Sequence, residues 1–435
     1  MNTPICDFVR RYAQSGVQRL HMPGHKGQGS LGIEPLDITE VAGADSLYEA
    51  EGIIRESEQN ASLLFGCPTF FSTEGSSQCI RAMLYLAMLD AKRKGKPFVV
   101  AAGRNAHKTF LSGVALLDAR VQWLLPASQK DYLSCPLTAA DVEAQLGEAT
   151  AVYLTAPDYL GGMPDLAAIG AVCRRREVLL LVDCAHGAYL RFLNPSRHPM
   201  DLGADLCCAS AHKTLSVLTG GAYLHVRDTA LVAEAKNALA LFGSTSPSYL
   251  ILQSLDAANA TLATSFPAAL QSTAQDAATH RAALEQAGYR FLGEEPMKWT
   301  LDAKAYGYSG TELAEQLRRQ GVECEFADPD FLVLMLSVST DFEALSKALL
   351  AVPRRAALAE CPPLYCGAEQ VCSVREAMLS LQETLPVEQA LGRVLAAPGV
   401  GCPPAVPILV CGERINEAAL AAFRYYGIEK CSVMN

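Results

Sequence analysis

Two short segments decide the fold: Asp183-Cys-Ala-His-Gly187 and Ser210-Ala-His-Lys-Thr214. Lys213 follows Asp183 by 30 residues (213 − 183 = 30), and each segment comes at the end of a short apolar run. Because such runs predict neighbouring buried strands, we expect the lysine and the acid at adjacent strand ends. A pyridoxal phosphate (PLP) enzyme needs this pair. The lysine forms an imine with the cofactor aldehyde, and the carboxylate keeps the pyridine nitrogen protonated.

The region from about residue 60 to 230 alternates between strand and helix patterns, which is typical of βαβ units. Apolar runs predict buried, largely parallel strands, and apolar residues three and four positions apart predict the helices between them. The predicted strands are 98–101, 121–125, 151–155, 178–183 and 205–210, and the predicted helices are 76–91, 138–146 and 166–175. The sequence therefore predicts an α/β fold with a mainly parallel sheet.

The pattern changes near residue 265, where a long Ala/Gln-rich helix begins and a smaller α+β domain is predicted. A second change is a Pro/Cys-rich link near Cys361. We predict an N-terminal segment (1–55), a large cofactor-binding domain (56–264), a small α+β domain (265–360) and a C-terminal unit (361–435).

Composition excludes several classes of protein. The chain has 435 residues, 50% of them hydrophobic, and a net charge of −10 without a Lys/Arg-rich block, which argues against a nucleic-acid or anionic-membrane partner. The first residues lack the apolar stretch of a signal peptide, and the apolar runs are too short to span a bilayer, so we expect a cytoplasmic protein. Fifteen cysteines without a C-x-x-C pair predict reduced thiols. The loop 21–27 carries two histidines but no acid or cysteine at ligand spacing, so no metal is predicted.

Polar residues near the lysine are candidates for binding a phosphate. Ser210, His212 and Thr214 flank Lys213 and can donate hydrogen bonds. Gly75-Ser-Ser77 opens a predicted helix, whose first N–H groups attract anions. The alternative for these serines is an ordinary helix N-cap. The polar segment 243–248 precedes another helix and serves either as a cap or as a second phosphate contact.

Each of these residues also has a purely structural interpretation. Lys213 alone is compatible with a surface lysine in a turn, and Asp183 with a helix N-cap. His107 follows the strand 98–101, so its imidazole is a candidate to stack on the cofactor ring or else an ordinary core or surface histidine. The combination of lysine and acid favours the functional interpretation.

Together these segments resemble the Orn/Lys/Arg decarboxylase family, which has the fold type I (aspartate-aminotransferase) architecture. The resemblance follows the order of the chain and covers most of it. The matching segments are 21–27, 43–47, 51–54, 75–77, 104–108, 183–188, 210–215, 244–249, 383–386, 392–393 and 403–410. The short N-terminus resembles the compact members of the family, which lack a wing domain.

The resemblance implies a role for each candidate residue. Lys213 would be the Schiff-base lysine, Asp183 the pyridinium partner and His107 the ring-stacking residue. The remaining cofactor-binding residues implied are Gly75, Ser76, Ser77, Ala185, His186, Ser210, His212, Ser244, Thr245 and Ser246. The segment 244–246 reaches the cofactor of the neighbouring subunit in this family, so a homodimer with shared sites, or a higher oligomer, is implied.

The implied reaction is decarboxylation of lysine, arginine or ornithine. His212 and Cys184 are candidate donors of the proton to the α-carbon, and the residues implied near the substrate are Asp45, Asp158 and Glu383. The chain departs from the family pattern at several positions, among them Glu74 in place of Asn, Cys184 in place of Glu, and Asp158, Ser46 and Tyr48. Two alternatives stay open: an aminotransferase or lyase on the same fold, and a PLP-binding regulatory protein without turnover.

Overall fold

The structure is a computed structural model that describes residues 1–127, 132–363, 367–398 and 406–435. The chain divides into two compact units, each built from two separate stretches of sequence. Unit 1 comprises residues 1–96 and 179–269, and unit 2 comprises residues 97–178 and 270–435. The domain boundaries near residues 55, 264 and 360 stay a prediction. Of the C-terminal motif 403–410, residues 403–405 lie outside the described ranges.

Helices and strands alternate along most of the described chain. The helices are α1 (Pro4–Gln14), α2 (Ile53–Phe65), α3 (Gly75–Arg93), α4 (Lys108–Leu116), α5 (Ala139–Gln145), α6 (Leu166–Arg175), α7 (Ala211–Thr214), α8 (Thr229–Val232), α9 (Ala235–Ala240), α10 (Tyr249–Leu262), α11 (Phe266–Gln286), α12 (Ala303–Tyr306), α13 (Gly310–Arg318), α14 (Phe342–Leu350), α15 (Val374–Met378) and α16 (Glu417–Tyr425). The strands are β1 (Thr69–Ser72), β2 (Val99–Gly103), β3 (Arg120–Leu124), β4 (Ala151–Thr155), β5 (Leu179–Asp183), β6 (Leu206–Ala209), β7 (Ala222–Val226), β8 (Phe291–Leu292), β9 (Lys298–Asp302), β10 (Phe326–Ala327), β11 (Phe331–Met335), β12 (Gln382–Pro386), β13 (Leu395–Ala397) and β14 (Lys430–Met434). The predicted helices and strands all form, with ends that differ by a few residues.

Unit 1 contains four strands in the order β1-β7-β6-β5. Strands β5 and β6 are parallel, whereas β7 is antiparallel to both β6 and β1. Helix α3 packs against these strands through buried apolar residues such as Ile80, Met83 and Leu84. Because α3 follows β1 directly, its first residues are held at the end of the sheet.

Unit 2 contains the parallel strands β4, β2 and β3, adjacent in that order. It also holds a four-stranded antiparallel sheet, β10-β11-β9-β8, and a three-stranded sheet, β12-β14-β13. The parallel strands confirm the predicted α/β class, and the antiparallel sheets have the α+β character expected after residue 265. No helix in the described ranges is both long and apolar enough to cross a bilayer.

Candidate active site

The carboxylate of Asp183 lies at the end of β5, beside the parallel strand β6. The register pairs Asp183 with Cys208, and the two side chains share one face of the sheet. Oδ1 of Asp183 accepts a hydrogen bond from the Ala185 N–H at 3.2 Å and from the Cys208 thiol at 3.5 Å. Burial raises the pKa of Cys208 well above its ordinary value, so the thiol stays protonated and donates. Asp183 is only 2% exposed, and these bonds fix its orientation.

Lys213 and His186 are brought together although they are 27 residues apart in the chain. The short helix α7 follows β6 and carries Lys213, whose Nζ lies 2.9 Å from Nε2 of His186. His186 follows β5 and is buried, whereas the stem of Lys213 is exposed in the single chain. Both residues therefore come from the ends of the parallel strands that also place Asp183, as the two segments predicted.

Two hydroxyl groups on either side of Lys213 are left with unused hydrogen-bonding capacity. Oγ of Ser210 and Oγ1 of Thr214 are buried, and neither has a hydrogen-bond partner among the described residues. A buried hydroxyl without a partner costs free energy, about 1–3 kcal/mol. Such groups indicate a ligand that accepts hydrogen bonds at this place.

The start of α3 lies close to His212. Gly75 has φ +72°, a conformation that favours glycine, and its N–H donates to the carbonyl of Gly220 at 2.7 Å. A Cβ atom at Gly75 would lie 3.9 Å from Cε1 of His212. The next N–H groups, of Ser76 and Ser77, belong to the first turn of α3, and the first turn of a helix attracts anions.

His212 is a neutral imidazole whose orientation is fixed by the backbone. Its Nδ1 lies 2.9 Å from the carbonyl oxygen of Gly221, which can only accept, so Nδ1 carries the proton. Burial lowers the pKa of His212, and the charge of Lys213 lowers it further. Nε2 is then a hydrogen-bond acceptor until a proton is added to the ring.

An acidic residue precedes the first turn of α3. Glu74 is the N-cap residue, and its carboxylate accepts a hydrogen bond from the N–H of Ser244. Ser244, Thr245 and Ser246 are exposed in the single chain. The hydrogen bond from the Ser244 N–H links the start of this loop to Glu74, within unit 1. The family pattern has Asn at this position. The carboxylate places a negative charge beside the predicted anion site, where it opposes phosphate binding.

The residues of unit 1 fit PLP. The lysine amine, the buried acid, the two hydroxyls without partners and the first turn of α3 supply an attachment point, a partner for a ring nitrogen and donors for a phosphate. The buried hydroxyls of Ser210 and Thr214 support this fit, because a phosphate can accept hydrogen bonds from both.

Comparison with known proteins gives the family. The model of the Orn/Lys/Arg decarboxylase major domain matches residues 3–294, about two thirds of the chain. The chain belongs to the Orn/Lys/Arg decarboxylase family. It is 29% identical to the arginine decarboxylase of Halalkalibacterium halodurans over 463 aligned residues, which cover 97% of this chain and 93% of that protein. It is 27% identical to the arginine decarboxylase of Bacillus subtilis, with 95% of this chain and 91% of that protein covered.

Solved structures with the same fold include other decarboxylases. The lysine decarboxylase of Francisella novicida superposes with a TM-score of 0.81 at 15% sequence identity. The superposition covers 100% of this chain and 81% of the Francisella novicida chain. The constitutive lysine decarboxylase of E. coli gives a TM-score of 0.78 at 17% identity, with 100% of this chain and 82% of its own covered. The chain therefore has the fold type I architecture of PLP-dependent enzymes, as the resemblance implied.

The three acids that were predicted near the substrate each contact other groups of the chain. The oxygens of Asp45 accept hydrogen bonds from backbone N–H groups at the start of α2, so this carboxylate caps a helix. Oδ1 of Asp158 accepts from the N–H groups of Leu160 and Gly162 and orders a turn in unit 2. Glu383 lies on the exposed strand β12, 3.5 Å from Arg393. The substrate roles of the three acids stay a prediction.

The candidate proton donor Cys184 also differs from the prediction. Side chains alternate along a strand, so Cys184 follows Asp183 onto the opposite face of the sheet. Its sulfur lies within 4.8 Å of the sulfur of Cys207, the neighbour of Cys208 on β6. Cys184 therefore lies away from the face that carries Asp183, and the identity of the proton donor stays a prediction.

His107 and Arg104 of the family motif lie in unit 2. His107 is the N-cap of α4, and its Nδ1 accepts from the N–H of Thr109 at 3.1 Å. Its ring-stacking role stays a prediction. Arg104 forms a buried ion pair of 2.9 Å with Glu413. Sequence reasoning missed Glu413, and it missed Cys208 because the strand register alone brings that thiol to Asp183.

Proposed function

We propose that this protein is a PLP-dependent decarboxylase that converts a basic amino acid, namely lysine, arginine or ornithine, to the corresponding amine and carbon dioxide. The observation that carries the proposal is the amine of Lys213 held 2.9 Å from His186, with the buried Asp183 ending the same strand that leads to His186. Family membership supports the same reaction class. The names of the relatives favour arginine among the three substrates.

In this proposal the residues of unit 1 hold the cofactor at three points. Lys213 would bond covalently to its aldehyde carbon, and Asp183 would accept a hydrogen bond from its ring nitrogen. Ser76, Ser77, Ser210 and Thr214 would donate to its phosphate. When bound, PLP supplies an electron sink for the pair left behind when the substrate carboxylate departs. The proposed stacking of His107 on the ring rests on the family resemblance.

His186 is placed to manage the proton of the Lys213 amine. An amine attacks a carbonyl carbon only when it is neutral, so a proton must leave Nζ before bond formation. Nε2 of His186 lies at hydrogen-bond distance from that nitrogen. His186 therefore orients the amine and accepts or returns its proton.

The carboxyl group of Asp183 would face the ring nitrogen of the bound cofactor. Two donors, the Ala185 N–H and the Cys208 thiol, bind the same oxygen Oδ1 and hold the carboxyl plane in place. A buried carboxylate in a fixed orientation stabilises a proton on the nitrogen of a bound heterocycle.

We also propose a cytoplasmic homodimer. Large apolar side chains of the N-terminal segment are exposed in the single chain: Leu20 is 82% exposed, Met22 69% and Leu31 78%. Several exposed apolar side chains in one segment support an interface between this segment and a second copy of the chain. The described cysteines are free thiols and most are buried, which is the pattern of proteins in a reducing compartment.

The experiment that tests the function is incubation of the PLP-loaded protein with an equimolar pool of basic, neutral and acidic amino acids, followed by mass identification of the products. We expect one amine, agmatine, cadaverine or putrescine, together with carbon dioxide. Lys213→Ala should form no amine and should lose the borohydride-reducible attachment of the cofactor. A keto acid or ammonia would assign transamination or elimination instead. Bound cofactor without any product would assign a binding protein.

A further inference from the structure

A second cluster of reactive side chains lies on the opposite face of the strands that hold Asp183. Asp183 and Cys208 are register partners and share one face, so their neighbours Cys184 and Cys207 turn to the other. His198, in the loop before β6, reaches the same face. The sulfurs of Cys184 and Cys207 and one ring nitrogen of His198 all lie within 4.8 Å of one another.

These three side chains are fully buried, each with 0% exposure. The ring nitrogens of His198 make few hydrogen bonds there. The N–H of Met200 approaches its Nδ1 at 3.4 Å, at the long end of hydrogen bonding, and Nε2 has no hydrogen-bond partner among the described residues. A buried nitrogen without a hydrogen-bond partner lowers the stability of the fold by about 1–3 kcal/mol and indicates a missing partner such as an ion.

We propose that Cys184, His198 and Cys207 bind a zinc ion on the face of the sheet that lies away from Asp183. Two thiolates and an imidazole are ligands that zinc prefers. Two thiolates also neutralise Zn²⁺, so the complex carries no net charge into the dry core. Binding forms two Zn–S bonds in place of two S–H bonds and releases two protons to solvent, with no change in oxidation state.

The separations are close to those that zinc requires. With Zn–S bonds of about 2.3 Å and a Zn–N bond of about 2.0–2.1 Å in a tetrahedron, ligand atoms are roughly 3.5–3.8 Å apart. Separations of up to 4.8 Å would therefore shorten by at most about 1.0–1.3 Å on binding.

His225 is the residue best placed to complete four ligands. It lies directly opposite Cys207 in the antiparallel register of β6 and β7, and its ring centroid is 5.0 Å from that of His198. Its Nδ1 bonds to the hydroxyl of Thr69 at 2.9 Å, while Nε2 has no hydrogen-bond partner among the described residues. His225 lies outside the 4.8 Å group, so its ring must move to reach the ion.

The test uses the PLP-loaded protein, stripped with a chelator and dialysed against zinc alone. We expect about one zinc ion per chain by elemental analysis, and about two protons released per zinc in weakly buffered solution. Cobalt in place of zinc should give the sulfur-to-metal absorption of thiolate ligands. Cys184→Ser and Cys207→Ser should lose the zinc, whereas Cys173→Ser, which alters a buried thiol of unit 2, should keep it.

Proton release and the cobalt spectrum are measured on the unaltered protein, so they decide the question even if the variants do not fold. Wild-type protein that retains no zinc, or zinc that binds without proton release or thiolate absorption, would overturn the proposal. Full zinc content in folded Cys184→Ser protein would overturn it as well.

Discussion

Nζ of Lys213 lies 2.9 Å from Nε2 of His186, although the two residues follow different strands. An ammonium group can only donate, so Nε2 must be the acceptor whenever Lys213 is charged. An imidazolium ring facing an ammonium group would be repelled. The pair therefore favours a neutral His186 that is ready to take the lysine proton.

The first prediction concerns this pair. His186→Gln keeps a polar side chain but removes the group that exchanges a proton with Lys213, so we expect kcat to fall by about 10²-fold or more. The cofactor should stay covalently bound, measured by borohydride reduction and peptide mapping. His280→Gln, which changes a half-buried histidine of unit 2, is the control and should stay near wild type. Activity of His186→Gln within twofold of wild type would exclude the proton-transfer role.

The second prediction concerns the partner of the ring nitrogen. Asp183→Asn removes the negative charge at nearly constant shape and should lower kcat by roughly 30- to 150-fold, equivalent to about 2–3 kcal/mol for a charge-assisted hydrogen bond. Cys208→Ala removes only a weak hydrogen-bond donor to Asp183 and should lower kcat a few-fold. Steady-state kinetics with saturating PLP measures both. A larger loss in Cys208→Ala than in Asp183→Asn would contradict this order of roles.

The third prediction concerns the charge of Glu74 at the start of α3. Glu74→Gln keeps an acceptor for the Ser244 N–H but removes a negative charge from the helix N-terminus, so PLP should bind about two- to fivefold more tightly. Pyridoxal, which lacks the phosphate, should bind as before. Equilibrium dialysis of both ligands with cofactor-free protein measures this. Glu383→Gln makes the same change of net charge in unit 2 and is the control. Equal gains for PLP and pyridoxal would show that the phosphate is not involved.

The fourth prediction concerns the ion pair of Arg104 and Glu413, in which both side chains are 3% exposed. Arg104→Met leaves a buried carboxylate without a countercharge and should lower the free energy of unfolding by about 3–5 kcal/mol at neutral pH. Arg393→Met, which breaks the exposed pair with Glu383, should cost about 0–1 kcal/mol. Urea unfolding of both variants measures the difference.

The same pair sets a pH dependence. Burial raises the pKa of Glu413 above its ordinary value of 4.5, so the folded protein holds this proton more tightly than the unfolded chain. Its contribution to stability is therefore largest below pH 4.5 and falls as the pH rises through the raised pKa. Without Arg104 the pKa of Glu413 rises further. The loss of unfolding free energy in Arg104→Met should therefore be smaller at pH 5 than at pH 8. A deficit that grows as the pH falls would contradict this sign.

The sequence predicted that Asp183 and Lys213 follow adjacent strands, because the signals for those strands are local. Asp183 and Lys213 each follow an apolar run that forms a strand, and parallel strands end at one edge of a sheet. The serines of α3 carry a similar signal, since they open an amphipathic helix. Strands β1 and β7 were not predicted, because polar residues interrupt their short runs: Thr69 and Ser72 in β1 and His225 in β7.

The contacts that orient the site depend on register and could not be predicted. Cys208 reaches Asp183 only because β5 and β6 pair in one particular alignment. The family resemblance implied that Asp45 lies near the substrate. Only the structure shows that its carboxylate accepts hydrogen bonds from the backbone N–H groups of Gly52 and Ile54. The cluster of Cys184, His198 and Cys207 has spacings of 14 and 9 residues (198 − 184 and 207 − 198), which match no metal-binding motif.

The central claim is that this chain removes the carboxylate of a basic amino acid. The most direct measurement supplies arginine, lysine and ornithine, each labelled with ¹³C in the α-carboxyl group, to the PLP-loaded protein and to Lys213→Ala. We expect labelled carbon dioxide and unlabelled amine in equal amounts from one of the three substrates, and neither product from the variant. Label retained in a keto acid, or amine formed equally by Lys213→Ala, would contradict the claim.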